Sequence, residues 1–487
     1  MRFGPLLALD DVSFAIEKGR VHAILGENGA GKSTLMKILA GEVRPSNGSI
    51  QINNESRIFH SPREAKRAGI RYVHQHLSLI PALTIAENFV LESSSGARSL
   101  DLSEVSDKLR ESALGFGLDI DPDRRVSELS MSERQWLEVF RAIFLGADTL
   151  ILDEPTALLS PIEGDRLLSR VRDIAQSGKT VILITHKLRE IVEFADVVTV
   201  LRKGSAVGTF PMGQMSPEKL SSLMIGNDSD LPAISFSDSP FKDGTAIVEA
   251  RALSALDSRR VKVLSKVDIS IMRGEIHGVA GVAGNGQTEL VEILAGLRPL
   301  SEGAIRFPTL DTPRIRYVPA ARTTEAIASS LSILENLALR DYHSDSKRGV
   351  INWATLRKLG ERMVKDFQIK IGSVDDSPFT LSGGNMQRVV LAREMEGDTH
   401  ILIVHNPTSG IDLPSSLFVR TRLREAAMAG VGVLMVSDDL DELMQTADRI
   451  SVLHSGRVAG VLPRAEFSRD RIGQMMVGHV SATKTSA

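Results

Sequence analysis

At 487 residues the chain is too long for one ordinary core, and its length fits two large domains or about three of typical size. A formal charge of −3 and the lack of any basic arm exclude nucleic-acid binding by bulk electrostatics. The absence of cysteine excludes disulfides, cysteine-ligated zinc and thiol catalysis, and it agrees with a reducing compartment.

The chain meets Asp10 before any signal-peptide core could form, and no apolar stretch approaches the roughly 18 residues of a membrane span. Val21 to Leu25 is an apolar run that predicts a buried strand. Ser33 to Ala40 has apolar positions at helical spacing. Between them Gly26-Glu27-Asn28-Gly29-Ala30-Gly31-Lys32-Ser33 fills the pattern G-x-x-x-x-G-K-[ST] without a mismatch. The glycines let the backbone turn tightly and aim successive N–H groups at a polyphosphate, and the following helix, starting near Thr34, adds its dipole. Lys32 would reach the β/γ-phosphates, and the Ser33 hydroxyl would complete a Mg2+ shell. A dinucleotide fingerprint does not fit, because G-x-G-x-x-G is missing from this turn.

Gln75 ends the next predicted strand, where its amide can coordinate Mg2+ or water. Residues from about 86 to 145 are more helical and predict an inserted helical subdomain. Leu150-Ile-Leu-Asp153-Glu154 is an apolar strand ending in two carboxylates. Asp153 suits a Mg2+ shell, and Glu154 suits a general base that orients water for attack on the γ-phosphorus. A helix from Asp165 to Ala175 and a strand from Thr180 to Ile184 follow, and His186 stands just past that strand. A lone histidine is more often structural, but its place one strand beyond the carboxylates favours contact with the γ-phosphate. Strands alternating with helices predict a parallel α/β core with its ligand at the strand C-termini.

The same stations return in the same order. Gly281 to Thr288 echoes the phosphate loop, Ser332 to Leu337 echoes Thr84 to Phe89, Leu381-Ser382 echoes Leu129-Ser130, and His405 to Thr408 answers Asp153 to Thr156. The chain is therefore a tandem duplication. It divides into a nucleotide-binding domain at 1–226, a turn-rich linker at 227–244, a second domain at 245–477 and a flexible tail at 478–487. The second domain has an apolar strand, Thr245 to Ala250, well ahead of its phosphate loop. The first begins at what would be the end of that strand, so either it lacks the strand or its start lies late.

The series Gly26 to Ser33, Gln75, Leu129-Ser130, Leu152-Asp-Glu-Pro-Thr156 and His186 resembles an ATP-binding cassette (ABC) domain, and the match covers nearly the whole chain twice. The tandem arrangement, with its abbreviated second phosphate loop, resembles the ATPase subunit of bacterial importers for simple sugars and nucleosides. The resemblance implies two tandem P-loop cassettes, each with a RecA-like parallel-sheet core, an antiparallel β subdomain and a helical subdomain. Two cassettes of this kind close face to face, each ATP lying between the phosphate loop of one and the signature of the other. In that arrangement Ser382, Gly383 and Gly384 complete the ATP site of the first domain. Lys32, Gln75, Glu154 and His186 would carry catalysis, and Ser33, Gln75 and Asp153 would hold Mg2+. The resemblance also implies two transmembrane permease subunits, touched by Gln75 and residues around Pro81 to Leu91, and an extracytoplasmic substrate-binding protein. The chain would then sit peripherally on the cytoplasmic face of the inner membrane, reaching the membrane through partners only, with no nucleic-acid partner. Phe3 stands where such domains stack an aromatic ring on adenine.

The second copy departs from this pattern. Gln287 replaces the lysine, His405 and Asn406 replace the two carboxylates, Ala320 stands at the place of Gln75, and Asp438 stands at that of His186. Its signature, Leu381-Ser-Gly-Gly-Asn-Met-Gln387, is good. In the first copy Ser132 and Glu133 replace the expected Gly and Gln. All losses thus fall in one of two composite sites. Glu133 could bring negative charge towards triphosphate there. Gly281, Gly284, Gly286 and Thr288 keep a cradle, so the second site either retains nucleotide or serves as a folding and docking platform. Gly284-Asn-Gly-Gln287 and Tyr317-Val-Pro319, followed by Arg322, resemble the nucleoside-importing branch more than the ribose or galactose branch. The alternative is a soluble tandem cassette protein acting in translation or DNA repair. Such proteins keep both sites competent and carry a long charged linker or zinc-binding cysteines, which this chain does not have.

Overall fold

The computed structural model describes residues 1–478 other than 5, 28, 75–76, 94–101, 117, 158, 186, 226–243, 257–259, 283, 341 and 343–349. The chain divides into two compact units, Met1–Ser229 and Asp230–Ala487. The expected linker and tail lie almost wholly outside the described residues.

Unit 1 opens with an antiparallel pair, β1 (Arg2–Phe3) and β2 (Leu6–Leu7). Phe3 is exposed on that pair. The central strand β3 (Val21–Gly26) is buried along its whole length and runs into α1 (Lys32–Leu39). A second antiparallel pair, β4 (Ile50–Ile52) and β5 (Glu55–Arg57), precedes α2 (Pro62–Arg67) and β6 (Ile70–Val73). Helices α3 (Ile85–Ser93), α4 (Leu102–Gly115) and α5 (Met131–Phe144) come next. The unit is completed by β7 (Thr149–Asp153), α6 (Pro161–Gln176), β8 (Thr180–Ile184), α7 (Leu188–Phe194), β9 (Val197–Arg202), β10 (Ser205–Pro211) and α8 (Pro217–Ile225).

Six strands form one sheet in the order β10-β9-β3-β8-β7-β6, parallel except at β10. Parallel strands of this kind are covered on both faces, which is why they read as continuous Val, Ile and Leu runs rather than alternating ones. The phosphate loop, the two carboxylates and Thr185 leave the C-terminal ends of β3, β7 and β8, three neighbouring strands. The expected helical insertion is α3 to α5. It has a small core of its own, with Phe89, Leu109 and Phe140 fully buried.

Unit 2 contains β11 (Ala246–Leu256), β12 (Lys262–Met272), β13 (Ile276–Gly281), α9 (Gln287–Leu294), β14 (Glu302–Arg306) and β15 (Ile315–Val318). A π-helical turn, Arg322–Ala326, leads to α10 (Ile333–Ala338), α11 (Trp353–Asp366) and α12 (Gly383–Met395). Then follow β16 (Ile401–His405), α13 (Leu413–Met428), β17 (Gly432–Val436), α14 (Leu440–Thr446), β18 (Arg449–His454), β19 (Arg457–Pro463) and α15 (Arg469–Met476). Its main sheet, β15-β16-β17-β13-β18-β19, has the same strand order as that of unit 1.

The units differ in their antiparallel parts. Unit 2 has a three-stranded sheet, β12-β11-β14. Among the described residues, unit 1 has only the two-stranded pairs, so the expectation of one antiparallel β subdomain per cassette holds fully in unit 2 alone. Of residues 7–17, at the place of β12, only Leu7 lies in a strand, where it pairs with Arg2. Val12, Phe14 and Ile16 still turn inward at every second position, against Ile24 and Met36 among others. Among the described residues no helix is long and apolar enough to cross a membrane.

Candidate functional site

In unit 1 the phosphate loop is shaped by its glycines. Gly26 passes so close to β9 that a Cβ would lie 2.4 Å from the Leu201 carbonyl oxygen. Gly31 has φ +99°, and a Cβ there would lie 2.5 Å from Leu9 and 2.6 Å from the Ala8 carbonyl oxygen. Gly31 is also the N-cap of α1, and no side chain caps that terminus. The first N–H groups of a helix have no partner within it, so this end offers donors to an anion. Ser33 is exposed and Thr34 half-buried in the first turn.

Lys32 is 9% exposed. Its ammonium donates to the Gly26 carbonyl at 2.7 Å and to the Glu27 carbonyl at 3.0 Å. Burial lowers its pKa, and the nearby carboxylates of Glu154, Asp153 and Glu27 oppose that shift. The fold thus brings the loop lysine within electrostatic reach of both carboxylates at the end of β7. Burial raises the pKa of Asp153, with Glu154 adding to the effect, while a hydrogen bond from Tyr72 works against it. The Tyr72 hydroxyl donates to Asp153 Oδ2 at 2.6 Å. Glu154 has φ +48°, and its N–H donates to the Ile184 carbonyl at 2.8 Å, which fixes the bend after β7 against β8. These residues fit a magnesium nucleotide: an uncapped helix end and a cation for phosphate, with an acidic pair beside them for the metal. Asn28, Gln75 and His186 lie outside the described residues. Thr185, the neighbour of His186, donates to Glu190 at 2.7 Å, and so does Thr156 at 2.5 Å.

Unit 2 repeats the backbone and exchanges the side chains. Gly284 and Gly286 have φ of +88° and +99°, against +84° and +99° at Gly29 and Gly31. Gln287 is 5% exposed and donates to the Val282 carbonyl at 2.9 Å, folding back as Lys32 does. Asn406 keeps the bend of Glu154, with φ +48° and an N–H to the Val436 carbonyl at 2.7 Å. Its amide is engaged on both sides: Nδ2 donates to Asp438 Oδ2 at 2.8 Å and Oδ1 accepts from the Asp438 N–H at 2.8 Å. Burial lowers the pKa of His405 despite Asp438, Glu325 and Glu292, so the ring is a neutral group where Asp153 carries charge.

The signatures also separate. Ser382 caps α12 by accepting from the Asn385 N–H, and Gly384 packs closely on α13, where a Cβ would lie 2.4 Å from Ser415 Oγ and make that hydroxyl turn away. In unit 1 Ser130 and Glu133 form a reciprocal capping box at the start of α5, and Arg124 donates to Glu133 at 2.8 Å. Burial would raise the Glu133 pKa, but the bonds from Ser130 and Arg124 hold it below the usual carboxylate range. Its carboxylate is therefore occupied as a helix cap. The sequence carried this signal as Ser-x-x-Glu, a pattern repeated at Ser160 and Ser332. Tyr72 and Glu138, which contact functional segments in unit 1, are the residues that reasoning from sequence missed.

Residues 9–157 and 264–409 match the ABC transporter family. The nucleoside import ATP-binding protein NupA of Lactococcus lactis subsp. cremoris is 35% identical, over 98% of this chain and 96% of its own length. The glucose import ATP-binding protein TsgD13 of Haloferax volcanii is 36% identical, over 99% of this chain and 95% of its own. The archaeal ribosome recycling factor aABCE1, solved with the stalk protein aP1, superposes with a TM-score of 0.63 at 22% identity. That match covers 92% of this chain and 87% of the other, and it is a likeness of fold. With its duplicated sheet and its phosphate loop beside paired carboxylates, the chain belongs to the ABC transporter family, as an ATPase made of two cassettes in one polypeptide.

Proposed function

We propose that this chain is the energising subunit of an importer that takes up a simple sugar or a nucleoside. The observation that carries the reading is the partition of charge between the two phosphate loops. Lys32, Asp153 and Glu154 stand together in unit 1, while neutral Gln287, His405 and Asn406 stand in unit 2. Both relatives described above are named as import ATP-binding proteins, one for nucleosides and one for glucose. The chain works at the cytoplasmic face of the membrane through two permease subunits, and an extracytoplasmic binding protein delivers the substrate.

One composite site turns over. Gly26 to Thr34 cradle the triphosphate of ATP, and Ser382, Gly383 and Gly384 close it from the other cassette. Ser33, Gln75 and Asp153 hold Mg2+, which when bound neutralises charge on the β- and γ-phosphate oxygens. Lys32 leaves its loop carbonyls to meet the phosphate. Glu154 orients and deprotonates the attacking water, and His186 holds the γ-phosphate. The domains are 1–226 and 245–477, joined by the linker at 227–244.

In the assembled transporter, Glu154→Gln abolishes steady-state ATP hydrolysis, a loss of at least about a hundredfold. Asn406→Gln, at the matching place in unit 2, changes it less than about twofold. Equal losses in the two variants would refute the single-site reading.

A further inference from the structure

A tyrosine on β6 holds one oxygen of Asp153. β6 and β7 are parallel neighbours with Tyr72 opposite Ile151, so the ring starts two residues short of the carboxylate that ends β7. Its hydroxyl donates to Asp153 Oδ2 at 2.6 Å, a length typical of a hydroxyl bonded to an ionised oxygen. The ring is itself braced. It packs against the core that includes Ile24 and Ile151, and the His74 imidazole lies beside it with centroids 4.0 Å apart and planes tilted by 46°. The Glu42 carboxylate, just past the end of α1, stands 3.2 Å from His74 Nε2. Glu42, His74, Tyr72 and Asp153 thus form one chain of contacts that ends at the carboxylate.

The second unit serves as an internal comparison. Tyr317 stands at the same place in β15, opposite Ile403 of β16, and packs against the core of its own unit. The residues at the other matching places have changed. His405 replaces Asp153, Pro319 replaces His74, and the exposed Leu297 replaces Glu42. The carboxylates within electrostatic reach of Tyr317 are Glu325 of the π-helical turn and Glu292 of α9, which belong to elements other than the neighbouring strand. The ring is therefore common to both units, where it serves the sheet. The strand-end acceptor and the braced donor occur together in the unit that keeps Lys32 and Glu154.

We infer that Tyr72 is a positioning residue for Mg2+, acting through Asp153. The terminal torsion of an aspartate is broad, so its carboxylate turns freely unless one oxygen is pinned. Tyr72 pins Oδ2 and thereby fixes where Oδ1 stands. Partners that orient a metal-binding side chain from behind change metal affinity by about 10–100-fold when they are removed. The inference rests on the metal role given to Asp153 above.

Calorimetric titration of the full chain with ATP, once in Mg2+ and once in EDTA, tests it, with Glu154→Gln in every sample to prevent turnover. Tyr72→Phe, which keeps the ring and its packing, weakens binding at least about tenfold in Mg2+ and less than about twofold in EDTA. The EDTA arm reports whether the site is still folded. Placed on Asp153→Asn, the same substitution changes the affinity in Mg2+ less than about twofold, because the group that it positions no longer holds the metal. Equal losses in Mg2+ and EDTA, no loss in either, or the same factor on Asp153→Asn overturns the inference and leaves Asp153 its role. A parent that binds ATP as tightly in EDTA as in Mg2+, or an Asp153→Asn chain that matches the parent in Mg2+, overturns the metal assignment of Asp153 and the inference with it.

Discussion

Gln287→Lys, which restores the missing lysine to the second phosphate loop, destabilises unit 2 instead of creating a second hydrolytic site. Lys32 tolerates burial because Glu154, Asp153 and Glu27 surround it with negative charge. Around residue 287 the matching places hold Asn406, His405 and Val282. Asp438, the acid beside Asn406, is engaged by that amide. A lysine at this 5% exposed position meets the desolvation without an acid at either matching place, opposed only by the carboxylates that also reach His405, namely Asp438, Glu325 and Glu292. It can escape by losing its proton. From an ordinary value near 10.4 to pH 7 is about 3.4 units, which at 1.36 kcal/mol each caps the penalty at about 4.6 kcal/mol. The hydrogen bond to the Val282 carbonyl is one that Gln287 already makes, so it returns nothing, and the loss is at most about 4.6 kcal/mol. The chain has two tryptophans, Trp136 in unit 1 and Trp353 in unit 2. In a Trp136→Phe background, urea unfolding followed by Trp353 fluorescence reports on unit 2, and the ATPase rate is read on the same samples. The transition moves to lower urea and kcat per chain stays the same. Adding His405→Asp and Asn406→Glu recovers at least half of the lost stability. Tyr317, whose pKa burial pushes up to about 12, stays protonated and stands in β15 as Tyr72 stands in β6, ready to donate to the new carboxylate. An unmoved transition in the single variant, or a doubled kcat, would show that the missing lysine was never constrained by its surroundings.

Two further outcomes follow from the geometry. His22 and His277 occupy matching places in β3 and β13, and burial lowers each to a pKa of about 4. Both folded values lie below the unfolded value near 6.5, so this stability is present above that pH and is lost as the pH falls towards 4. Between pH 7 and pH 5 each unit loses about 2 kcal/mol, measurable as a falling urea midpoint. His22→Gln flattens the profile of unit 1 only, and a parent profile flat over that range would contradict the burial argument. In the phosphate loop, Gly31→Ala and Gly29→Ala both strain a positive φ, at about 1–2 kcal/mol each. Only Gly31→Ala also drives a Cβ into Leu9 and the Ala8 carbonyl, since nothing lies within 4 Å of a Cβ on Gly29. Titration calorimetry with ATP shows at least a tenfold greater loss of affinity for Gly31→Ala, and equal losses would mean that residues 8–9 give way freely.

Strands and the helical insertion were legible in the sequence because burial on both faces and helical periodicity are local properties. The side-chain partners were not. Tyr72 meets Asp153 81 residues away, and Glu138 meets Ser78 60 residues away. Both pairings depend on which strands lie side by side and on the register of α5 against β6, which no local pattern encodes. The antiparallel β subdomain of each cassette came from the resemblance alone, whereas the sequence itself showed the first domain starting short of the strand that Thr245 to Ala250 forms in the second, and the two-stranded pairs of unit 1 agree with that difference. Glu133 was legible in part: an acid at the place of the signature Gln suggested charge near phosphate, and Ser-x-x-Glu also specified the capping box that holds this carboxylate at the start of α5.

The way the second site lost its chemistry follows from the way the first site holds it. In unit 1 the burial of Lys32 is offset by Asp153 and Glu154, and Lys32 in turn opposes the burial of Asp153. Removing one member of such a set strands a charge in a desolvated site, at a cost of about 3–5 kcal/mol. A copy that had lost only its lysine would be less stable than one that had also lost its carboxylates. Unit 2 accordingly shows a matched replacement: Gln287 neutral on its carbonyl, His405 neutral by burial, and Asn406 paired with Asp438. The glycines experience no such coupling, because backbone curvature carries no charge to compensate, and they remain at the same φ in both loops. On this argument the cradle persists in unit 2 because its retention costs nothing, whereas the coupled charges could be lost only as a group.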